Sequence, residues 1–498
     1  MSDSGISTET AARSLFWTAI ESGGLCGLSF VTLVLLSHVL TPEEFGIGAM
    51  ALSVVQVLNL PVEMLFHDAL VQREHVEERH YDTAFCVSVC LGILLSASCW
   101  VVAAPLARAI GEPDAGPVLG WMSLSLPISG LGCTIMARLR REMQFRPLAI
   151  RSLLGRVGGA IGAIAVAAGG GGVWSLVVQQ VALLAISVAA VWIFAQQRPR
   201  LRLDWRACAD LLGFGLRAIT VLGVLVAYQR VFLLLAGTLL GAAAAGYLNL
   251  AFRTVDMLRD LLASAVQQLV LPIFARLQNE RGRLATAYAY AVELTGAVSF
   301  PIFLGLFATA PEFIPILFGA SWQPAVPFVQ VVALAALPFF CRMFSAPVMT
   351  AIGAPQAALA SAGLGLAIIV VGMLTFGRYS EQAAAAVWVG RLAFALPVDV
   401  LVLWRYGGIG LGPQFRGISR LLLLGAAMVA AVAATDSLLT PLLPAAIARL
   451  PVLVLTGAVT YVALMWLLNR ELCERLLGFL RMAVRAERSA IRAVVADA

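Results

Sequence analysis

Apolar segments of about 20 residues, each long enough to cross a hydrocarbon core of roughly 30 Å as a helix, recur along nearly all of this chain. Inside a bilayer every backbone N–H and C=O must be paired without water, which leaves only helices and closed barrels as spanning structures. The segments lack the alternation of barrel strands. The expected fold is therefore an all-α polytopic membrane protein. Composition agrees: 60% of the 498 residues are hydrophobic, 12% are charged and the mean hydropathy is +0.91, far from the values of soluble globular chains.

The segments fall near 15–40, 45–66, 83–106, 116–137, 150–168, 173–195, 210–236, 244–266, 287–310, 326–350, 357–376, 383–403, 419–439 and 448–468, about 14 transmembrane helices. The first is too long for a signal-peptide core and no cleavage site follows it, so it reads as a retained span. Thr41-Pro42-Glu43-Glu44 reads as a turn and helix start. All 34 basic residues are Arg. With the N-terminus inside, 24 of them lie in cytoplasmic segments and only Arg108, Arg378 and Arg449 in outer loops. That asymmetry predicts an even number of spans and both termini in the cytoplasm.

Nothing in the chain points to catalysis. The absence of Lys excludes a Walker-type ATPase. The eight Cys lack paired metal-ligand spacing, and His67, His75 and His80 bunch in a loop without forming a metal signature. No catalytic residue, metal, cofactor or nucleic-acid partner is expected.

An internal repeat appears at an offset of 200 residues. Leu33/Leu233, Leu35/Leu235, Leu40/Leu240, Gly46/Gly246, Ala51/Ala251, Val55/Val255 and Leu58/Leu258 are identical pairs, aligning the first two spans with the seventh and eighth. Two pseudo-symmetric six-helix lobes follow, plus two C-terminal helices. The expected division is a cytoplasmic N-terminus 1–14, an N-lobe 15–195, a linker 196–209, a C-lobe 210–403, spans thirteen and fourteen within 404–469, and a basic tail 470–498. In that tail Leu472, Leu476, Phe479, Leu480 and Ala483 alternate with Arg475, Arg481, Arg485, Arg488 and Arg492. It reads either as an interfacial helix on anionic lipid or as a disordered basic end.

The stretch from Tyr228 to Asp260 carries charges of both signs inside apolar sequence. Each costs about 2.5–3.5 kcal/mol at mid-bilayer, so such groups turn toward a bundle interior or a water-filled path, pair with one another, or snorkel.

The segments FGLRAITVLGVLVAYQRVFLLLAGTLLGAAAAGYLNLAFR and LVLPIFARLQNERGRLATAYAYAVELTGAVSFPIFLGLFATAPEFIPILFGASWQPAVPFVQVVAL, with LTPEEFGIGAMALSVVQVL, ALVQRE and RLRREMQFRPLAIR in the first half, resemble the polysaccharide transporter (Wzx-like flippase) family. That family is a branch of the multidrug/oligosaccharidyl-lipid/polysaccharide (MOP) exporter superfamily. The resemblance covers roughly residues 12–400. It implies a MOP/MATE-like fold and flipping of a polyprenyl-diphosphate-linked oligosaccharide, the repeat unit of an exopolysaccharide, O-antigen or capsule, to the outer leaflet by alternating access. The partners it implies are that substrate, membrane lipids, and a polymerase and glycosyltransferases of the same pathway. Family members commonly carry an Asp late in span seven; this chain has YQRVF, with Arg230 instead.

A diphosphate path needs fixed cations, and Arg offers a planar donor fork that grips phosphate twice. The candidates are Arg253, Arg230, Arg217, Arg259 and Arg156, with Arg342 and Arg391 as further intramembrane cations. Asn249 and Gln179 are candidates for sugar contact, with Gln180, Gln267, Gln268 and Trp174 behind them; the alternative for such amides is glue between helices. Glu21, Asp256 and Glu293 are candidate coupling carboxylates. Against these readings, Arg253, Asp256, Arg259 and Asp260 neutralise one another along one helical stripe, and Arg217 and Arg156 snorkel. Asp399 and Glu63 read as interhelical ties. Alternative functions are lipid II flipping or MATE-type drug export; a membrane glycan polymerase or ligase would need a long outer loop, and the outer loops here are short.

Overall fold

The computed structural model describes residues 8–73, 75–195, 197–277, 280–345, 348–349, 357–474, 476 and 478. Among them the regular elements are all helical. They form two compact units, one ending at Gly246 and the other beginning at Tyr247.

The first unit contains α1 (Thr8–Ser37), α2 (Pro42–Met64), the short α3 (His67–Gln72), α4 (Glu78–Ile110), α5 (Ala115–Ser123), α6 (Ser125–Arg141), α7 (Phe145–Ala168), α8 (Trp174–Phe194) and α9 (Trp205–Leu240). The α2 start is a capping box. Thr41 Oγ1 accepts from the Glu44 N–H at 3.2 Å, the Glu44 carboxylate accepts from the Thr41 N–H at 2.9 Å, and Pro42 supplies the first helical residue. Helices α7 and α8 approach closely because GRVGGAIG places four glycines along α7. A Cβ on Gly155 would stand 2.0 Å from Ser187 Oγ, and one on Gly159 2.8 Å from the Gln179 carbonyl oxygen.

The Arg-rich segment 138–151 is almost all helix: α6 runs to Arg141 and α7 begins at Phe145. Its arginines serve the fold. Arg141 donates to the carbonyl of Leu70 at 2.9 Å, satisfying an acceptor left open at the end of α3. Arg138 ion-pairs with Glu78 at 2.7 Å and lies 4.1 Å from the centre of the Tyr81 ring. The stretch before α9 is pinned to α4 by backbone donors: Arg200 N–H to Asp82 at 2.7 Å and Asp204 N–H to Thr83 Oγ1 at 3.1 Å. Asp204 caps α9 in turn, and the N–H groups of Arg206 and Ala207 hold its carboxyl below the usual range.

The next helix, α10 (Ala242–Leu277), starts after Gly241, whose φ of 99° is open only to glycine, so the turn from α9 is immediate. The second unit then holds α11 (Arg281–Phe318), a 3₁₀ turn (Ala320–Ala325), α12 (Val326–Arg342), α13 (Ala357–Thr375), α14 (Glu381–Arg405), the short α15 (Leu411–Phe415), α16 (Ile418–Leu439) and α17 (Ala446–Leu468). Its core is aromatic: Trp322 is fully buried and edge-on to Tyr247 at 6.2 Å, and Phe274, Tyr288 and Phe344 form a triad. Tyr461 donates to the Ala297 carbonyl at 3.1 Å, tying α17 to α11.

Ten stretches are long and apolar enough to cross a membrane, and Gly23–Ser37, Val226–Leu240 and Ser361–Thr375 are shorter apolar helices, among the described residues. The chain is a multi-pass membrane protein. Three segments expected as loops are helical. HDALVQ forms α3, α4 starts at Glu78, and EFIPILF continues α11 through Pro311 and Pro315 to Gly319. Each proline forfeits one hydrogen bond, which neighbouring helices offset within a membrane bundle. In the tail, Leu472, Cys473 and Leu476 are buried. Arg475, Leu477 and residues 479–498, and the segment AIGAPQ (351–356) between the tenth and eleventh expected spans, lie outside the described residues.

Candidate functional site

Four alanines open α10 and hold it helical directly from the turn. The helical period then sets Asn249, Arg253 and Asp256, at i, i+4 and i+7, on one face, with Arg259 and Asp260 at its lower edge. Asn249 is buried, and Arg253 and Asp256 are half-buried. Asp256 accepts an ion pair from Arg259 at 2.7 Å, and Arg259 also reaches Asp260 at 3.0 Å, with its guanidinium 5.0 Å from the centre of the Phe339 ring. Arg259 is thus held by two carboxylates of its own helix. Arg253 stands one turn above that cluster, beside the buried amide.

A second set of groups gathers on α12, α13 and α14. Arg342 ion-pairs with the buried Asp399 and donates to Ser361 Oγ at 3.3 Å, so one cation ties three helices. Arg391 lies 3.8 Å from the centre of the Trp388 ring, and Trp388 meets Phe252 edge-on at 4.7 Å. Phe252 precedes Arg253, so this contact carries the α14 cation–aromatic stack onto the α10 stripe. The sequence offered Arg342 and Arg391 as charges but gave no sign of the Trp388 platform, because Phe252 and Trp388 are joined only by packing.

The remaining candidates lie elsewhere. Arg156 and Gln179 are half-buried on the paired helices α7 and α8 of the first unit, and the Arg156 Nε is buried with no hydrogen-bond partner among the described residues. Arg230 is half-buried near the end of α9. Glu293 belongs to a different place, a polar cleft it shares with Arg416 and Arg420. The side chains of Glu21, Arg217, Gln267 and Gln268 lie outside the described residues. One cluster had no counterpart in the sequence reading. Arg449 approaches Glu312 at 3.6 Å and Asp436 at 3.8 Å and donates to Thr440 Oγ1 at 2.6 Å, tying α11, α16 and α17. No group of three or more His, Cys, Asp or Glu fit to hold a metal occurs among the described residues.

Residues 35–327, more than half of the chain, match the family described as polysaccharide biosynthesis protein. The chain belongs to that family. It is similar to the succinoglycan biosynthesis transport protein ExoT of Rhizobium meliloti (strain 1021), 28% identical over 66% of this chain and 67% of that protein. The lipopolysaccharide biosynthesis protein WzxC of Escherichia coli (strain K12) is 22% identical over 64% and 66% of the two chains. The chain thus spans about two thirds of the length of these two relatives. Among solved structures it is similar to the lipid II flippase MurJ in an inward closed conformation, with a TM-score of 0.72 at 14% identity, covering 92% of this chain and 100% of that one. An inward-facing MATE family transporter of the MOP superfamily matches with a TM-score of 0.57 at 17% identity, over 83% and 99%. The chain accordingly shares the fold of these two structures.

Proposed function

We propose that this protein is a transporter, not an enzyme, that flips a polyprenyl-diphosphate-linked oligosaccharide from the inner to the outer leaflet by alternating access. The observation that carries the reading is the α10 stripe: within apolar sequence, Arg253 stands between the buried Asn249 and the Asp256–Arg259 pair. A diphosphate needs a fixed cation there, and a glycan needs buried hydrogen-bonding groups beside it. Membership of a polysaccharide biosynthesis family and the names of its transport relatives support the same cargo class. Arg230, Arg217, Arg259, Arg156 and Gln179 complete the proposed path, and Glu21 and Asp256 are the proposed coupling carboxylates.

The ten long spans, the three shorter apolar helices and α10 together would make fourteen crossings. We assign lobes 15–195 and 210–403, joined by 196–209, from the repeat, with spans thirteen and fourteen in 404–469 and the segments 1–14 and 470–498 in the cytoplasm of a bacterial inner membrane. The partners proposed are the polymerase and glycosyltransferases that consume and supply the lipid-linked glycan. Lipid II flipping is the second reading, favoured by the likeness to MurJ, but at 14% identity that likeness speaks for the fold alone. Deletion of the gene separates them. Loss of surface or secreted glycan with lipid-linked oligosaccharide building up inside the cell is expected; intact glycan without such accumulation contradicts the proposal.

A further inference from the structure

Within the second unit, the ends of α16 and α17 meet α11 around a cleft of about 530 Å³ whose lining is almost wholly polar. Two arginines line it: Arg416, whose guanidinium lies 5.6 Å from the centre of the Tyr290 ring, and Arg420, in the first turn of α16. Two carboxylates, Glu293 of α11 and Glu471 just past α17, line the same space, together with Ser419 and Asn469. Gly417 holds the floor open. Its φ of 75° suits glycine, and a Cβ there would stand 2.7 Å from Glu293 Oε1.

The cleft sits where spans end. Leu411 and Phe415 before α16, and Trp466, Leu467 and Leu468 at the end of α17, are exposed apolar residues beside it, and Arg470 lies 5.3 Å from the centre of the Trp466 ring. Exposed apolar side chains closed off by an aromatic–cation pair mark the level at which hydrocarbon gives way to head groups. An occupant of this cleft therefore has its tails in the bilayer and its polar part among two cations and two anions.

We infer that the cleft is a binding site for a zwitterionic phospholipid head group, phosphatidylethanolamine: Arg416 and Arg420 take the phosphate, and Glu293 and Glu471 take the ammonium. A purely anionic lipid satisfies the arginines but is repelled by the carboxylates, and a free cation meets the reverse. The site is separate from the α10 stripe, and it assigns Glu293 to a resident lipid in place of ion coupling. Such a lipid would brace α11 against α16 and α17.

The test is native mass spectrometry of the full-length protein, delipidated in detergent and titrated with phosphatidylethanolamine, phosphatidylglycerol or a polyprenyl diphosphate. Wild-type protein is expected to bind phosphatidylethanolamine about tenfold more tightly than either anionic lipid, and Arg416→Ala with Arg420→Ala to lose about tenfold. Glu471→Gln, at an exposed position, is expected to erase most of the preference by strengthening phosphatidylglycerol binding while leaving the unfolding temperature unchanged. Phosphatidylglycerol or polyprenyl diphosphate binding to wild type as tightly as phosphatidylethanolamine overturns the inference. So does an arginine double variant with wild-type unfolding temperature and undiminished phosphatidylethanolamine binding. Failure of cargo flipping leaves these outcomes unchanged, so this test and the test of the transport function stand apart.

Discussion

Gly46 and Gly246, aligned by the 200-residue offset in the sequence, press the starts of α2 and α10 together backbone to backbone. A Cβ on Gly46 would lie 1.8 Å from the Ala242 carbonyl oxygen, and one on Gly246 2.0 Å from the Pro42 carbonyl oxygen. The contact is reciprocal. Neither backbone can rotate out of the way, so Gly46→Ala or Gly246→Ala forces the start of α2 away from the start of α10, at a cost of about 1–3 kcal/mol or more. Thermal unfolding in detergent should show each single variant destabilised. The double variant should lose less than the sum, since the first substitution has already parted the helices.

Gly425 gives the contrasting case. Its added Cβ would stand 2.2 Å from Leu304 Cδ1, the end of a flexible side chain. Gly425→Ala should therefore be mild, and Leu304→Ala in the Gly425→Ala background should recover part of whatever is lost, read as unfolding temperature.

The Arg342–Asp399 pair predicts an asymmetry. Arg342→Ala leaves the buried Asp399 carboxylate without this cation and should cost about 3–5 kcal/mol of stability, while Asp399→Ala, which leaves the half-buried Arg342, should cost less. Replacing both, as Arg342→Met with Asp399→Leu, should restore most of it. Chemical or thermal unfolding of the three variants checks this.

Orientation is open to a direct experiment. Reporter fusions at Gly170 and Ser321 should read as outside the cytoplasm, and those at Arg202 and Arg281 as inside. A reversal at any one of them breaks the proposed count of spans.

Much of this architecture was legible because membrane spans are written in one-dimensional sequence. Length and hydropathy placed the segments, Thr41 through Glu44 announced a capped helix, and the offset of 200 residues paired Gly46 with Gly246 before their contact was visible. The ninth segment, expected to end near residue 310, falls short: α11 runs on through Pro311 and Pro315 to Gly319. At the site, the spacing of Asn249, Arg253, Asp256 and Arg259 showed a common face, and their helix supplied the Asp256–Arg259 pairing. What the spacing could not show were meetings made only by the tertiary fold. The Trp388 stack on Phe252, the Glu312–Arg449–Asp436 cluster and the gathering of Glu293 with Arg416 join residues with no shared periodicity.

The central claim rests on Arg253 as a phosphate contact, and one measurement tests it most directly. Purified protein is reconstituted into vesicles loaded with a polyprenyl-diphosphate-linked oligosaccharide, and the fraction reaching the outer leaflet is followed with a glycan-modifying reagent that cannot cross the membrane. Wild type should move the glycolipid well above empty vesicles, while Arg253→Glu, inserted in equal amount, should fall to that background. Translocation by Arg253→Glu at the wild-type rate, or none by wild type, would contradict the account.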